Sequence, residues 1–142
     1  MSSKTVRTKV ESYLQANWVD TVIAGEENDI SSPPANLDPW LSYGFKPFGE
    51  EVKSIGSPGA MCYEERGLIY FNVWVASGRS TVTALTHAES IRNLMRYQDL
   101  GNGVRLLVAA PPDVGIPSQT NSSAGNWFAY QVVVDYRYNY VI

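Results

Sequence analysis

The sequence predicts an α+β domain: a mainly antiparallel sheet with two helices packed on one face, in the order α-β-β-α-β-β. Three observations predict it. Two segments repeat apolar residues at helical spacing, four runs alternate or saturate with aromatic and β-branched residues, and the chain shows no internal repeat. Its 142 residues fit one domain, taken as 1–142, and a chain of this size buries a sufficient core without staples.

The first helix is predicted over residues 4–18. Val6, Val10, Tyr13, Leu14 and Trp18 make one apolar stripe, Lys4, Arg7, Lys9 and Glu11 lie off it, and Ser2 or Ser3 caps its start. A short strand candidate, Thr21 to Ala24, precedes a loop over 25–39 that carries Pro33, Pro34 and Pro39. Residues 40–46 alternate, with Leu41, Tyr43 and Phe45 on one face; Pro47 is expected to end that strand or hold it at an edge. Residues 49–60 are rich in Gly and Pro and read as turns.

Residues 61–76 form the next strand. Ile69, Phe71, Val73 and Val75 share one face, and Leu68, Tyr70 and Trp74 share the other with Asn72. A strand apolar on both faces is central and needs cover on both. Gly67 marks an expected bulge. The second helix, over 80–97, presents Ala84, Leu85, Ala88, Ile91, Leu94 and Met95, with Arg92, Asn93 and Arg96 facing away. Ser80 is its expected N-cap, and Gly101 or Gly103 its expected terminator. A strand over 104–110 stops at Pro111-Pro112, and a loop fills 112–126. In the last run, 127–142, Phe128, Tyr130, Val132, Val134, Tyr136, Tyr138 and Tyr140 share a face. Sixteen residues at about 3.3 Å each span roughly 50 Å, so this strand either bends or outruns its domain.

Composition narrows the function. The net charge is −3, with no basic block, which disfavours nucleic acid as a primary ligand. No apolar run approaches the about 18 residues of a membrane span, and the start lacks the apolar stretch of a secretory signal, so synthesis and residence in the cytoplasm are expected. Charged residues make up 18% and aromatics 12%, a balance that suits a surface buried against a partner.

Candidate chemistry is thin. His87 is the only histidine and Cys62 the only cysteine, and neither sits in a nucleophile or metal motif. The acidic pairs Glu26-Glu27, Glu50-Glu51 and Glu64-Glu65 read as solvated surface, because adjacent strand residues point to opposite faces. Gly101-Asn102-Gly103 lacks the context of a nucleotide loop. The expectation is a non-enzymatic chain with no catalytic, cofactor-binding or metal-binding residues. Its candidate assembly interface comprises Tyr136, Tyr138 and Tyr140 on the last strand, Tyr70 and Trp74 on the two-faced strand, and Gln119 and Asn121 in the long loop. The other reading is a small ligand-binding or enzymatic α+β domain whose pocket Tyr70, Trp74 and Trp127 would line.

Several stretches carry a family resemblance. They are Ser3-Lys4-Thr5-Val6-Arg7 opening a helix that ends near Trp18, and Arg66-Gly67-Leu68-Ile69-Tyr70-Phe71-Asn72-Val73-Trp74-Val75 leading through Ala76-Ser77-Gly78 into a helix. Pro111-Pro112-Asp113-Val114-Gly115 then precedes a loop, and Asn126-Trp127-Phe128 opens a strand that reaches Asp135-Tyr136-Arg137. In this order they resemble the tail terminator (tail completion) proteins of long-tailed bacteriophages, over most of the chain except residues 19–36. The resemblance implies a structural virion protein, assembled in the bacterial cytoplasm, that forms a homo-oligomeric ring, typically a hexamer. Such a ring caps the major tail tube protein, ends its polymerisation and offers a docking surface to the head-side connector. DNA passes at most through the lumen, and no cofactor, catalytic residue or membrane is implied. A head-tail connector or tube subunit of related fold is the near alternative.

Overall fold

The computed structural model describes residues 4–19, 21–23, 39–54, 61–76, 81–114 and 127–141. The element order is α1 (Lys4–Asn17), β1 (Val22–Ile23), β2 (Trp40–Ser54), β3 (Cys62–Ala76), α2 (Thr81–Met95), β4 (Asp99–Gly101), β5 (Val104–Ala109), β6 (Asp113–Val114) and β7 (Trp127–Val141). The four long strands and two helices keep the expected order, and three short strands join them. The described strands make one sheet in the order β1-β2-β3-β7-β5-β4, with β6 also paired to β7. Every pairing is antiparallel except β1 with β2.

Both helices cover the same face of that sheet. Val6, Val10, Leu14 and Trp18 of the α1 segment and Ala88, Ile91 and Met95 of α2 join one buried cluster. Its sheet side is Leu41, Tyr43, Phe45, Ile69, Phe71, Val73, Val104, Leu106, Val132, Val134 and Tyr136. The α1 stripe is therefore the one that helical spacing selects. Asn17 Nδ2 donates to the Tyr13 carbonyl at 2.8 Å, and the Trp18 N–H donates to the Leu14 carbonyl at 2.8 Å, one of the four left open at the helix end. In α2 the stripe is narrower than expected, because Leu85 is 40% exposed. Arg92 does not simply face away: its Nε donates to the Ala109 carbonyl of β5 at 3.1 Å.

Neither Gly101 nor Gly103 ends α2. The helix stops at Met95, and Tyr97 takes the left-handed conformation at φ 54°. Its N–H donates to the Leu107 carbonyl at 2.9 Å, which turns the chain directly into β4. The two glycines belong to a tight hairpin instead, in which Gly101 pairs with Val104. Asn102 at φ 52° and Gly103 at φ 82° are its central residues, the twist that joins antiparallel strands best.

β2 also departs from expectation. It does not stop at Pro47 but runs on to Ser54, so residues 49–54 are strand rather than turn. Pro47 is accommodated by a register shift between Pro47 and Gly49, and a second shift lies between Val52 and Ser54. The bulge that Gly67 marks thus sits in β2, across from it, where Pro47 pairs with Gly67. β3 is central, between β2 and β7, as its two apolar faces require. Its pairing with β7 is unbroken from Cys62 with Val141 to Ala76 with Trp127. The expected caps Ser2, Ser3 and Ser80 and the loop over 25–38 lie outside the described residues, as do 55–60 and 115–126.

Candidate assembly surface

The register sorts the side chains of the three long strands onto two faces. The helix-covered face carries the row Val52, Tyr63, Tyr140 at one end and Leu41, Val73, Tyr130 at the other. The opposite face carries Trp40, Trp74 and Ala129 at the core end, and Glu51, Glu64 and Asn139 at the far end. The buried cluster reaches only as far as Tyr138, which packs against it half-buried. The far ends of β2, β3 and β7 therefore continue beyond the core as a three-stranded arm. The long last strand resolves as one that outruns the helices.

On the helix side of the arm Tyr138 stacks on Tyr140 with ring centroids 5.0 Å apart, and Tyr140 stacks on Tyr63 at 5.6 Å. Val52, 49% exposed, pairs beside Tyr63. Phe48 at the bulge is 64% exposed, and Val141 at the tip, 62% exposed, faces the opposite side beside Cys62. Half-exposed tyrosines on a rigid sheet offer wide contact area with a polar rim.

The opposite side of the arm is ionic. Glu64 is buried, although it belongs to an acidic pair that reads as solvated. Arg66 Nε donates to its Oε1 at 2.9 Å, Lys53 Nζ lies 3.4 Å from the same oxygen, and Arg137 Nη1 lies 4.0 Å from Oε2. Glu51 closes the group, 3.3 Å from Lys53 and 3.7 Å from Arg66. Burial alone pushes the Glu64 carboxyl up. The bonds from Arg66 and Lys53, with the charges of Lys53 and Arg137, outweigh it and hold the carboxyl below the usual range. The same bond to Glu64 holds the Arg66 guanidinium above its ordinary value.

The expected interface residues divide. Tyr138 and Tyr140 lie on the arm, partly buried. Tyr136 does not: it is 1% exposed, packed over Gly67, with its hydroxyl donating to Glu65 Oε2 at 2.8 Å. Trp74, 3% exposed, is also withdrawn. It stacks on Trp40 at 5.2 Å and donates from Nε1 to Ser42 Oγ at 2.9 Å. Tyr70, half-buried, sits on the open face between Gly44 and Val133, away from the tyrosine row. Gln119 and Asn121 lie outside the described residues. Sequence reasoning missed Val52, Phe48 and Tyr63. Pro47 and Gly49 hid the continuing alternation of β2 that would have found the first two.

The residues weighed for chemistry stay apart. His87 is half-buried on α2, with its ring edge-on to Trp18 at 6.4 Å. Cys62 lies at the far end of the arm, paired with Val141. Among the described residues no group of three or more His, Cys, Asp or Glu side chains converges as metal ligands would. A cleft of about 220 Å³ is lined by Lys4, Thr5, Thr8, Lys9 and Asn102, among which there is no carboxylate, histidine or cysteine.

No family model and no curated protein matches this sequence. Among solved structures, a chain that carries only a sequence identifier for a name superposes with a TM-score of 0.61. The two are 19% identical, and the match covers 97% of this chain and 96% of that one. At that identity the likeness is one of fold.

Proposed function

We propose that this chain is a structural subunit that closes into a ring, acting as a tail terminator of a long-tailed bacteriophage. The observation that carries the self-assembly half of the reading is the arm. Tyr138, at the edge of the core cluster, continues through Tyr140 and Tyr63 to Val52 as an aromatic and apolar row, with Glu50 and Glu65 beside it on the same face. Leaving such a row in water is unfavourable by about 25 cal/mol per Å² of apolar surface, so a partner gains by covering it. The identity of the assembly rests on the sequence resemblance, and the likeness of fold over nearly the whole chain is compatible with it. In this reading the ring is homo-oligomeric and takes no cofactor; it caps the tube, docks the head-side connector and lets DNA at most pass through its lumen.

Purified protein, alone at high concentration and mixed with purified tail tube, tests the proposal. Mass measurement and electron microscopy are expected to show a closed ring in at least one condition. A strict monomer in both refutes it. Tyr138→Ser with Tyr140→Ser is expected to weaken capping far more than it lowers the melting temperature, and unchanged capping removes the arm from the interface.

A further inference from the structure

We infer that the arm is a separately opening flap of the sheet, hinged where Pro47 and Gly49 face Gly67 and latched by Glu64. Three independent features place hinge and latch. First, the core cluster ends at Tyr138, so no described helix residue of that cluster seals the strands beyond it. Second, the boundary coincides with a break in the ladder. The β2 register shifts between Pro47 and Gly49, opposite Gly67, and proline contributes no N–H to a ladder.

Third, one buried carboxylate ties together all three strands of the arm. Glu64 of β3 contacts Lys53 of β2 and Arg137 of β7, and Arg66 of its own strand. The charged groups that face it across the open side are Glu51 and Lys53 from β2, Arg66 from β3, and Asp135 and Arg137 from β7, with Arg105 of β5 paired beside Arg137. Removing the Glu64 charge leaves Lys53, Arg66 and Arg137 close together, with Glu51 the one remaining carboxylate that contacts them among the ion pairs of this group. Glu64 is the one buried member and its partners are 42–58% exposed, so solvent screens part of the cost of losing it, but three cations are left crowded around the site. The sheet within the core has packing to hold it, whereas the arm has its ladder, the tyrosine stack, this latch and, at its root on β7, the pairing of Tyr138 with Val104 and the bond from the Asn139 N–H to the Gly103 carbonyl at 3.0 Å. Local openings of this kind are drawn from segments with little core burial. The inference holds whether or not the chain caps a tail tube.

Amide hydrogen exchange on the full chain tests it. In Glu64→Gln, exchange corrected for intrinsic rates is expected to rise by about tenfold to a hundredfold in residues 50–54, 62–66 and 138–141, the scale of hydrogen bonds to a charged group. Residues 69–75 and 130–136 are expected to keep their protection. The carboxyl is held low in the folded arm, so the latch is complete above the ordinary carboxylate range and is lost as pH falls through the lowered value. The parent should therefore show an acid step in arm protection that Glu64→Gln lacks. Lys53→Met, which removes one half-exposed partner, provides a milder variant should Glu64→Gln fail to fold, and should loosen the same residues to a smaller degree. Unchanged arm protection, or equal loss in arm and core strands, overturns the flap.

Discussion

Replacing Gly67 by alanine tests how the sheet is fitted at the root of the arm. A Cβ there would lie 2.6 Å from the Lys46 carbonyl oxygen and 2.6 and 2.7 Å from Cε1 and Cζ of Tyr136. Neither neighbour yields easily. Lys46 belongs to the β2 backbone paired with β3, and Tyr136 is 1% exposed with its hydroxyl tied to Glu65. Overpacking of this kind costs about 1–3 kcal/mol. For a chain of 142 residues each kcal/mol lowers the melting temperature by about 3–4 °C, so the variant should melt roughly 3–12 °C below the parent. Thermal denaturation followed by circular dichroism at fixed pH reads this directly. The Tyr136→Leu background sharpens the test. It is itself less stable, but it removes the ring from the clash, so adding Gly67→Ala should cost about 1 kcal/mol less there than in the parent. A melting temperature indistinguishable from the parent, or an equal cost in both backgrounds, refutes the argument.

Two further changes probe the open face and the sheet edge. Trp74→Ala removes the ring stacked on Trp40 and its bond to Ser42, and should destabilise by about 3–5 kcal/mol in urea denaturation; a loss under about 1 kcal/mol would mean that this face contributes little to the fold. Among the described residues β2 is paired on its outer side only at Trp40 and Leu41, and Lys46, Pro47, Lys53 and two register shifts guard the rest against edge-to-edge pairing. Pro47→Thr should therefore raise non-specific self-association, read by light scattering against concentration, and unchanged scattering would assign the protection elsewhere.

The helices and the central strand were legible because periodicity and burial agree in them. Val6, Val10 and Leu14 are fully buried, and Ile69, Phe71 and Val73 face them from one side of β3. What the sequence hid has specific causes. Pro47 and Gly49 carry turn chemistry, yet a bulge absorbs both and the strand runs on. Tyr136, Tyr138 and Tyr140 are indistinguishable by pattern; only the position of Gly67 decides that the first is buried and the others belong to the arm. Glu64 looks like its neighbour Glu65, but its partners come from β2 and β7, more than ten residues away on one side and more than seventy on the other, and local spacing carries no trace of them. The Asn102-Gly103 hairpin carries its own turn signature, which competes with the reading of the same glycines as a helix stop.

The register of β7 on β3 follows from size rather than charge. A one-residue slip would turn the core face to solvent, and the hydrophobic pattern forbids it. A two-residue slip keeps both faces, so something else must exclude it. Charge does not: it would set Glu64 opposite Arg137 and Arg66 opposite Asp135, pairs at least as favourable as the observed Glu64 with Asn139 and Arg66 with Arg137. Size does. In the observed register the smallest residue, Gly67, faces the large Tyr136, the large Trp74 faces the small Ala129, and Gln131 Nε2 donates to Asn72 Oδ1 at 3.2 Å. A slip in one direction would put Gly67 opposite Val134 and leave a void beside the glycine, and a slip in the other would set Trp74 opposite the longer Gln131 in place of Ala129. Either would also part Asn72, 6% exposed, from its amide partner. The arm's ionic network is thus free to act as a latch, because the fit of Gly67 to Tyr136 has already fixed which residues it joins.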